Sequence, residues 1–122
     1  MNNLKEAFKT TRNKGGFTFD LQRGEIKSGF VCAIDKETER YFYLSNKANF
    51  DANLKAFIFA NSENLVNENF ALGVWYYDET KKVYFDVVEI IHDKKEAIKK
   101  GFERQQLAIF NLDTFTEVKI LI

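Results

Sequence analysis

"GVWYYDETKKVYFDV", residues 73–87, decides the fold of this chain, because it reads as two strands joined by a tight polar turn. On either side of the turn "DETKK", apolar and aromatic residues alternate in a way that places them on both faces of each strand. Strands that are apolar on both faces are typical of the centre of a sheet that is covered on two sides. The stretch therefore predicts a central β-hairpin, and its aromatic row is interpreted as sheet core.

The same aromatic row allows a second interpretation, a platform on which nucleic-acid bases stack. Such a platform places exposed rings beside a basic groove that follows the phosphates. Here the neighbouring side chains include Asp78, Glu79, Asp86 and Glu89, which repel phosphate. The core interpretation is therefore favoured, and nucleic acid is not expected as a partner of this surface.

Further hairpins are predicted on both sides of the central one. "FTFDLQRGEI" alternates apolar residues and then turns near Gly24, and "GFVCAIDKETERYFYLS" places two β-rich runs around the polar turn 35–39. Towards the end of the chain, two more β-rich runs flank residues 112–114. These signals predict a mainly antiparallel sheet of six to eight strands.

Helical spacing of apolar residues predicts two to three helices on this sheet. They cover residues 3–12, the stretch that begins at Asn49, and residues 94–104, where Asp93 and Glu96 form a capping box. No repeat or linker interrupts the pattern. The chain is therefore predicted to be one α+β domain over residues 1–122.

The helix 94–104 has two contrasting faces. The face predicted to pack on the sheet consists of Ala97, Ile98, Gly101 and Phe102, with Ala97 and Gly101 one turn apart so that the helix lies close. The opposite face is polar and exposed, and it is the candidate surface for binding a partner. Its residues are Lys95, Lys99 and Glu103.

Composition limits the possible classes of protein. Apolar residues make up 45% and aromatic residues 16% of 122 residues, which excludes a disordered chain. Basic and acidic side chains balance at 18 each, and a DNA mimic would require a strong negative charge. The single cysteine, the lack of a ~20-residue apolar run and the absence of a secretory signal predict a cytoplasmic protein with no membrane partner.

No candidate catalytic or metal-binding constellation emerges. His92 is the single histidine, and Asp86 and Glu89 near it point to opposite faces of a strand, so a metal site is not expected. Cys32 lies in the apolar run "GFVCAI" and is predicted to be a buried, inert thiol. Phosphate-binding glycine motifs and a nucleophile elbow are missing from the sequence. We therefore expect no cofactor, no metal, no catalytic residues and no enzyme activity.

One set of residues within 73–112 forms a recognisable pattern, with a glycine-led β opening before it. Its members are Gly73, Trp75, Tyr84, Asp86, Glu89, Ala97, Gly101, Glu103, Arg104, Gln106, Ala108, Ile109 and Phe110. This pattern resembles a family of small accessory proteins carried by phages, plasmids and conjugative elements. The resemblance implies an accessory role in a bacterial host cell and no particular biochemical activity.

The expected function is therefore that of a non-enzymatic interaction protein of a phage or mobile element, a monomer or homodimer that binds a host protein. Inhibition of a CRISPR or restriction effector is the most specific form of this expectation. The alternative is a nucleic-acid-binding accessory factor that uses the basic helix 94–104. Steeply salt-dependent binding would distinguish that alternative.

Overall fold

The computed structural model of the chain describes residue 1 and residues 3–120. Within that part, eight strands and four helices alternate, and a 3-10 turn over Leu4–Glu6 precedes the first helix. The helices are α1 (Ala7–Lys14), α2 (Lys47–Ala60), α3 (Ser62–Leu65) and α4 (Lys94–Glu103). The strands are β1 (Gly16–Asp20), β2 (Gly24–Glu25), β3 (Phe30–Ala33), β4 (Arg40–Tyr43), β5 (Phe70–Tyr77), β6 (Lys82–Ile91), β7 (Ala108–Asn111) and β8 (Thr116–Lys119).

The predicted α+β class is confirmed, with one antiparallel sheet and helices packed on it. The sheet follows the order β2-β1-β5-β6-β3-β7-β8, and β4 pairs with β6 beside β3. The number of helices exceeds the prediction of two to three because α3, a single turn, follows α2 directly. The hairpins β1–β2 and β7–β8 are confirmed as well.

The β5–β6 hairpin lies at the centre of the sheet, as its sequence predicts. Its register runs from Phe70 opposite Glu89 to Tyr77 opposite Lys82. The N–H of Lys81 donates a 2.8 Å hydrogen bond to the carbonyl of Tyr77 and closes the turn. Because β6 pairs with β5 on one side and with both β3 and β4 on the other, this hairpin organises the whole sheet.

The hairpin predicted around the turn 35–39 is wrong. β3 and β4 do not pair with each other, since Phe30–Ala33 pairs with the second half of β6 and Arg40–Tyr43 pairs with its first half. The segment 35–39 leaves the edge of β6 opposite Asp86, and the chain then returns to the same edge. A polar turn between two β-rich runs has the same local pattern whether the chain reverses or bulges.

One face of the sheet is covered by helices. α1 and α2 pack on the larger core cluster, where the rings of Phe50 on α2 and Phe85 on β6 lie 5.7 Å apart in an edge-to-face arrangement. Val74, Val83 and Val87 are buried completely in the same layer. Burial of each such side chain stabilises the fold by about 1.5–3 kcal/mol, so this layer supplies a large part of the stability.

α4 covers the other end of the same face. Asp93 accepts a 3.2 Å hydrogen bond from the Glu96 N–H, which confirms the predicted cap. Ala97 and Gly101 are buried, and a Cβ atom at Gly101 would overlap Ile120, so the glycine permits the close approach. Phe102 was expected to be buried with them but is 54% exposed. It lies 100° further round the helix than Gly101, beyond the strip that contacts the sheet.

The opposite face of the sheet is covered only in part. Its buried cluster consists of strand and loop residues, namely Val31, Ala71, Val88 and Leu112. Trp75 on β5 and Phe110 on β7 are three strand spacings apart, about 14 Å in a flat sheet. Their ring centroids are nevertheless only 4.8 Å apart. The two side chains therefore converge above β6 and β3, and the hollow that they border makes this the concave face.

Candidate functional site

An open cleft of about 640 Å³ lies on the concave face. Strands β3, β5, β6, β7 and β8 contribute to its lining, together with Lys14 and Gly15 at the end of α1. Small-molecule and side-chain sites commonly occupy concave spaces of about 300–1,000 Å³. The cleft is therefore large enough to receive a side chain together with the residues that flank it.

Aromatic rings form the walls of the cleft. Trp75 contacts Phe110, and Phe110 contacts Phe115 edge to face with ring centroids 4.9 Å apart. Tyr77 and Tyr84 form a second edge-to-face pair at 5.5 Å. These contacts hold the rings in place, and they leave ring surfaces facing the open space.

The interpretation of the central aromatic row as core is right for one face and wrong for the other. Val74 and Phe85 lie under the helices, but Trp75 and Tyr84 are only half-buried and Tyr77 is 52% exposed. Apolar residues on both faces of a strand predict cover on both sides. On the concave side the rings themselves form the walls of a cleft that stays open.

Asp86 lies in the middle of β6 and lines the cleft. Its side chain is 7% exposed, and its Oδ1 atom has no hydrogen-bond partner among the residues that the structure describes. Most buried polar atoms in proteins are paired, and an unpaired one costs about 1–3 kcal/mol. An unpaired carboxyl oxygen in a cleft is a candidate contact for a bound group.

The surroundings of Asp86 make it a weak acid. Burial raises the pKa of Asp86 from its usual 3.8 to about 7, and the negative charge of Glu39 acts in the same direction. Hydrogen bonding from Trp75 opposes the increase in part. Asp86 therefore changes between a neutral acid and a carboxylate near neutral pH, and buried groups of this kind are enriched at functional sites.

Gly73 makes room for the Asp86 side chain. It is the cross-strand partner of Asp86, and a Cβ atom at Gly73 would overlap Asp86 Oδ1 and lie 3.1 Å from Val88. Any larger residue at this position would displace the carboxyl group. The Gly-x-Trp sequence thus places the glycine beneath Asp86 and Trp75 beside it.

The cleft has an acidic character. Among its lining residues, the described part of the chain contributes four carboxylates and one lysine, which are Asp86, Glu39, Glu79, Glu117 and Lys14. Gln106 lines the same space, and its Nε2 atom is a buried donor without a partner in residues 1 and 3–120. The cleft therefore attracts cations, and Gln106 offers it an unpaired hydrogen-bond donor.

Glu89, three residues after Asp86, faces the helix side of the sheet. Arg104 Nη2 lies 2.5 Å from one of its oxygens, and Lys100 Nζ lies 2.8 Å from the other. Burial on its own would raise the pKa of Glu89, but the hydrogen bonds and charges of these two cations outweigh it and lower the pKa. Glu89 is thus a structural anchor between β6 and α4.

The residues predicted as a partner surface lie away from the cleft. Lys95, Lys99 and Glu103 are exposed on the outer side of α4, as expected, and none of them lines the cleft. Lys99 Nζ and Glu103 Oε1 are 4.0 Å apart, a solvent-exposed pair of little energetic weight. The structure brings these three residues together on one exposed face.

The other candidates from the sequence do not form a site. Cys32 is buried under α4, and burial raises the pKa of its thiol although Arg104 partly opposes the effect. His92 is exposed between β6 and α4. Within the described residues, no group of three or more histidine, cysteine, aspartate or glutamate side chains is arranged to hold a metal ion.

Comparison with known proteins adds no further information, since no family model, curated protein sequence or solved structure matches the chain. In the described part of the chain, none of the helices combines the length and the apolar character needed to cross a membrane.

The sequence contained a signal for the cleft that local reasoning did not use. Asp86 is an acidic residue inside a long apolar strand, and on its face it follows Tyr84 and precedes Val88. A carboxyl at such a position must be buried, paired or functional. Its place in a cleft depends on side chains of β3, β5 and β7, which the local sequence around Asp86 does not include.

Proposed function

We propose that this chain is a non-enzymatic binding protein of a phage or mobile element, and that it occupies a surface of a host protein through the concave cleft. The observation that supports the cleft is the combination of unpaired buried polar atoms, on Asp86 and Gln106, with partly exposed aromatic rings. Inhibition of a CRISPR or restriction effector is the most specific form of the proposal. That form rests on the sequence resemblance alone.

The cleft is preferred to the outer face of α4 because binding sites combine apolar surface with a few converging polar groups. The α4 face offers solvated charges, and rim charges of this kind affect association rate more than affinity. The aromatic walls of the cleft, in contrast, offer apolar area that a partner would remove from water. Lys95, Lys99 and Glu103 remain a second candidate surface within the same proposal.

The nucleic-acid alternative has less physical support. Two of the cations of helix 94–104, Lys100 and Arg104, contact Glu89, which neutralises part of the charge that phosphates would need. The exposed rings line a cleft with four carboxylates, so bases stacked there would bring their phosphates close to negative charge.

Capture of a partner from the bacterial host tests the proposal. A copy tagged at its carboxyl terminus should retain one host protein in a near-equimolar complex. Ala108→Leu, which adds a side chain into the cleft, should lose that protein, while the matched variant Lys95→Glu/Lys99→Glu should keep it. Circular dichroism and melting curves should show that both variants are folded.

The other outcomes have definite meanings. If only the Lys95→Glu/Lys99→Glu variant loses the partner, the binding site lies on α4 and not in the cleft. Retention by both variants would exclude both surfaces. Multiple turnovers of a small molecule by the pure protein would overturn the non-enzymatic proposal.

A further inference from the structure

We propose that the cleft receives a cationic side chain, a lysine or an arginine, of the partner protein, and that its charged group contacts Asp86. This inference rests on the proposed function, because it names the chemistry by which the same cleft recognises its partner. Its main support is the Oδ1 atom of Asp86, which has no hydrogen-bond partner in the described residues. Asp86 is only 7% exposed and lines an acidic cleft.

The position of Asp86 suits a cation better than any other group. An ionised carboxylate away from water is strongly unfavourable unless an opposite charge or several donors compensate it. The indole N–H of Trp75 opposes the raised pKa of Asp86, but the described residues make no well-formed hydrogen bond to Oδ1. An ammonium or guanidinium group would supply the missing donor and the missing charge together.

The walls of the cleft suit the rest of such a side chain. Lysine and arginine carry long methylene stems that pack on apolar surface, and their charged groups are attracted to aromatic faces. Trp75 and Phe110 provide a tilted pair of rings 4.8 Å apart, and Tyr84 lies on the same strand face as Asp86. A stem could thus lie along the rings while its charged end reaches Asp86.

The remaining polar groups favour a peptide as the source of the cation. The unpaired Nε2 donor of Gln106 fits a carbonyl oxygen, which every peptide bond next to a bound lysine or arginine presents. Glu39, Glu79 and Glu117 also line the cleft and outnumber the single Lys14. Their field attracts a positively charged segment before contact is made.

Proton linkage predicts the direction in which binding affinity changes with pH. Because the pKa of Asp86 is about 7 in the free protein, a bound cation favours the carboxylate and expels the proton. The titratable groups that line the cleft with it are Glu39 from the segment before β4, Tyr76, Tyr77 and Glu79 from β5 and its turn, Tyr84 from β6, Glu117 from β8 and Lys14 from α1. Lysine and arginine stay charged between pH 6 and 8, so binding should become about tenfold tighter over that range.

Short peptides provide the test, and Trp75 provides the signal because it is the single tryptophan of the chain. Acetyl-Gly-Lys-Gly-amide and acetyl-Gly-Arg-Gly-amide should change the tryptophan fluorescence in a saturable way, and more tightly at pH 8 than at pH 6. Acetyl-Gly-Gln-Gly-amide should bind at least tenfold more weakly. Asp86→Asn should weaken the two cationic peptides and remove the pH dependence, whereas Glu96→Gln on α4 should leave both unchanged.

Each contrary result overturns the inference. Equal binding of the glutamine peptide, or binding by the wild type that tightens as the pH falls, would exclude a cation at Asp86. If butylammonium binds as tightly as the lysine peptide, the cleft recognises a free amine and not the side chain of a protein. If Asp86→Asn does not fold, Ala108→Leu must still block the peptides, and the pH dependence of the wild type remains decisive.

The inference and the proposed function fail separately. If the peptides do not bind but a host protein is still captured through the cleft, the proposed cation contact is refuted and the proposed function stands. If the peptides bind with the expected pH dependence but no host protein is captured, the proposed function is refuted and the proposed cation site stands.

Discussion

Asp86 and Glu89 are two carboxylates on one strand, three residues apart, and their side chains point to opposite faces of the sheet. Glu89 is held by Arg104 and Lys100 of α4, and its pKa is lowered. Asp86 has an unpaired oxygen within the described residues, and its pKa is raised to about 7. The difference shows that the charge of Glu89 is used within the fold, while that of Asp86 is available to a bound group.

The two faces of the sheet repeat this contrast on a larger scale. On the helix side, Phe50 and Phe85 are buried, and a Cβ atom at Gly101 would overlap Ile120. On the concave side, the rings around Trp75 and Tyr84 leave an open cleft. One face is therefore expected to determine stability and the other to determine binding, and three substitutions test that division.

The largest expected effect is at Gly101. Gly101→Leu should destabilise the fold by about 3 kcal/mol, because the new side chain would collide with Ile120 and crowd Ile109. The matched substitution Ala108→Leu, on the open face, should change the free energy of unfolding by less than about 1 kcal/mol. Urea denaturation measures both, and similar losses would contradict the contrast between a filled and an open face.

The next effect is at Glu89. Glu89→Gln should destabilise the fold by about 2 kcal/mol at pH 7, since it leaves the charges of Lys100 and Arg104 partly buried without their counter-charge. Lys99→Glu, on the exposed side of α4, is the control and should stay within about 0.5 kcal/mol of the wild type. An effect of Glu89→Gln as small as that of the control would show that this ion pair does not anchor α4.

The smallest effect is at Asp86 and should depend on pH. Because its pKa is higher in the folded than in the unfolded chain, the folded state binds more protons between about pH 4 and 7, and this contribution to stability falls as the pH rises. The stability of Asp86→Asn relative to the wild type should therefore increase by about 2 kcal/mol between pH 5 and pH 8.5.

Glu89 provides the opposite sign in the same experiment. Its lowered pKa contributes stability above about pH 4.5, and the contribution is lost as the pH falls through the folded pKa. Melting temperatures of the wild type and both variants from pH 3 to 9 separate the two groups. A pH-independent difference between wild type and Asp86→Asn would show that Asp86 does not titrate as inferred.

The sequence by itself determined the local elements, because their signals lie within a few consecutive residues. The central hairpin, the cap formed by Asp93 and Glu96, and the close packing at Gly101 were all predictable from spacing and residue type. The opposite orientations of Asp86 and Glu89 followed from the alternation of side chains along a strand. These features depend on backbone geometry and not on distant neighbours.

The tertiary structure alone decided how those elements combine. Whether residues 35–39 reverse the chain or bulge from it depends on β6, a strand more than forty residues later in the sequence. The contact between Trp75 and Phe110 joins β5 and β7, which are far apart in the sequence and are separated by β6 and β3 in the sheet. A cleft is formed by residues far apart in the chain, so its chemistry becomes visible only when the sheet has brought them together.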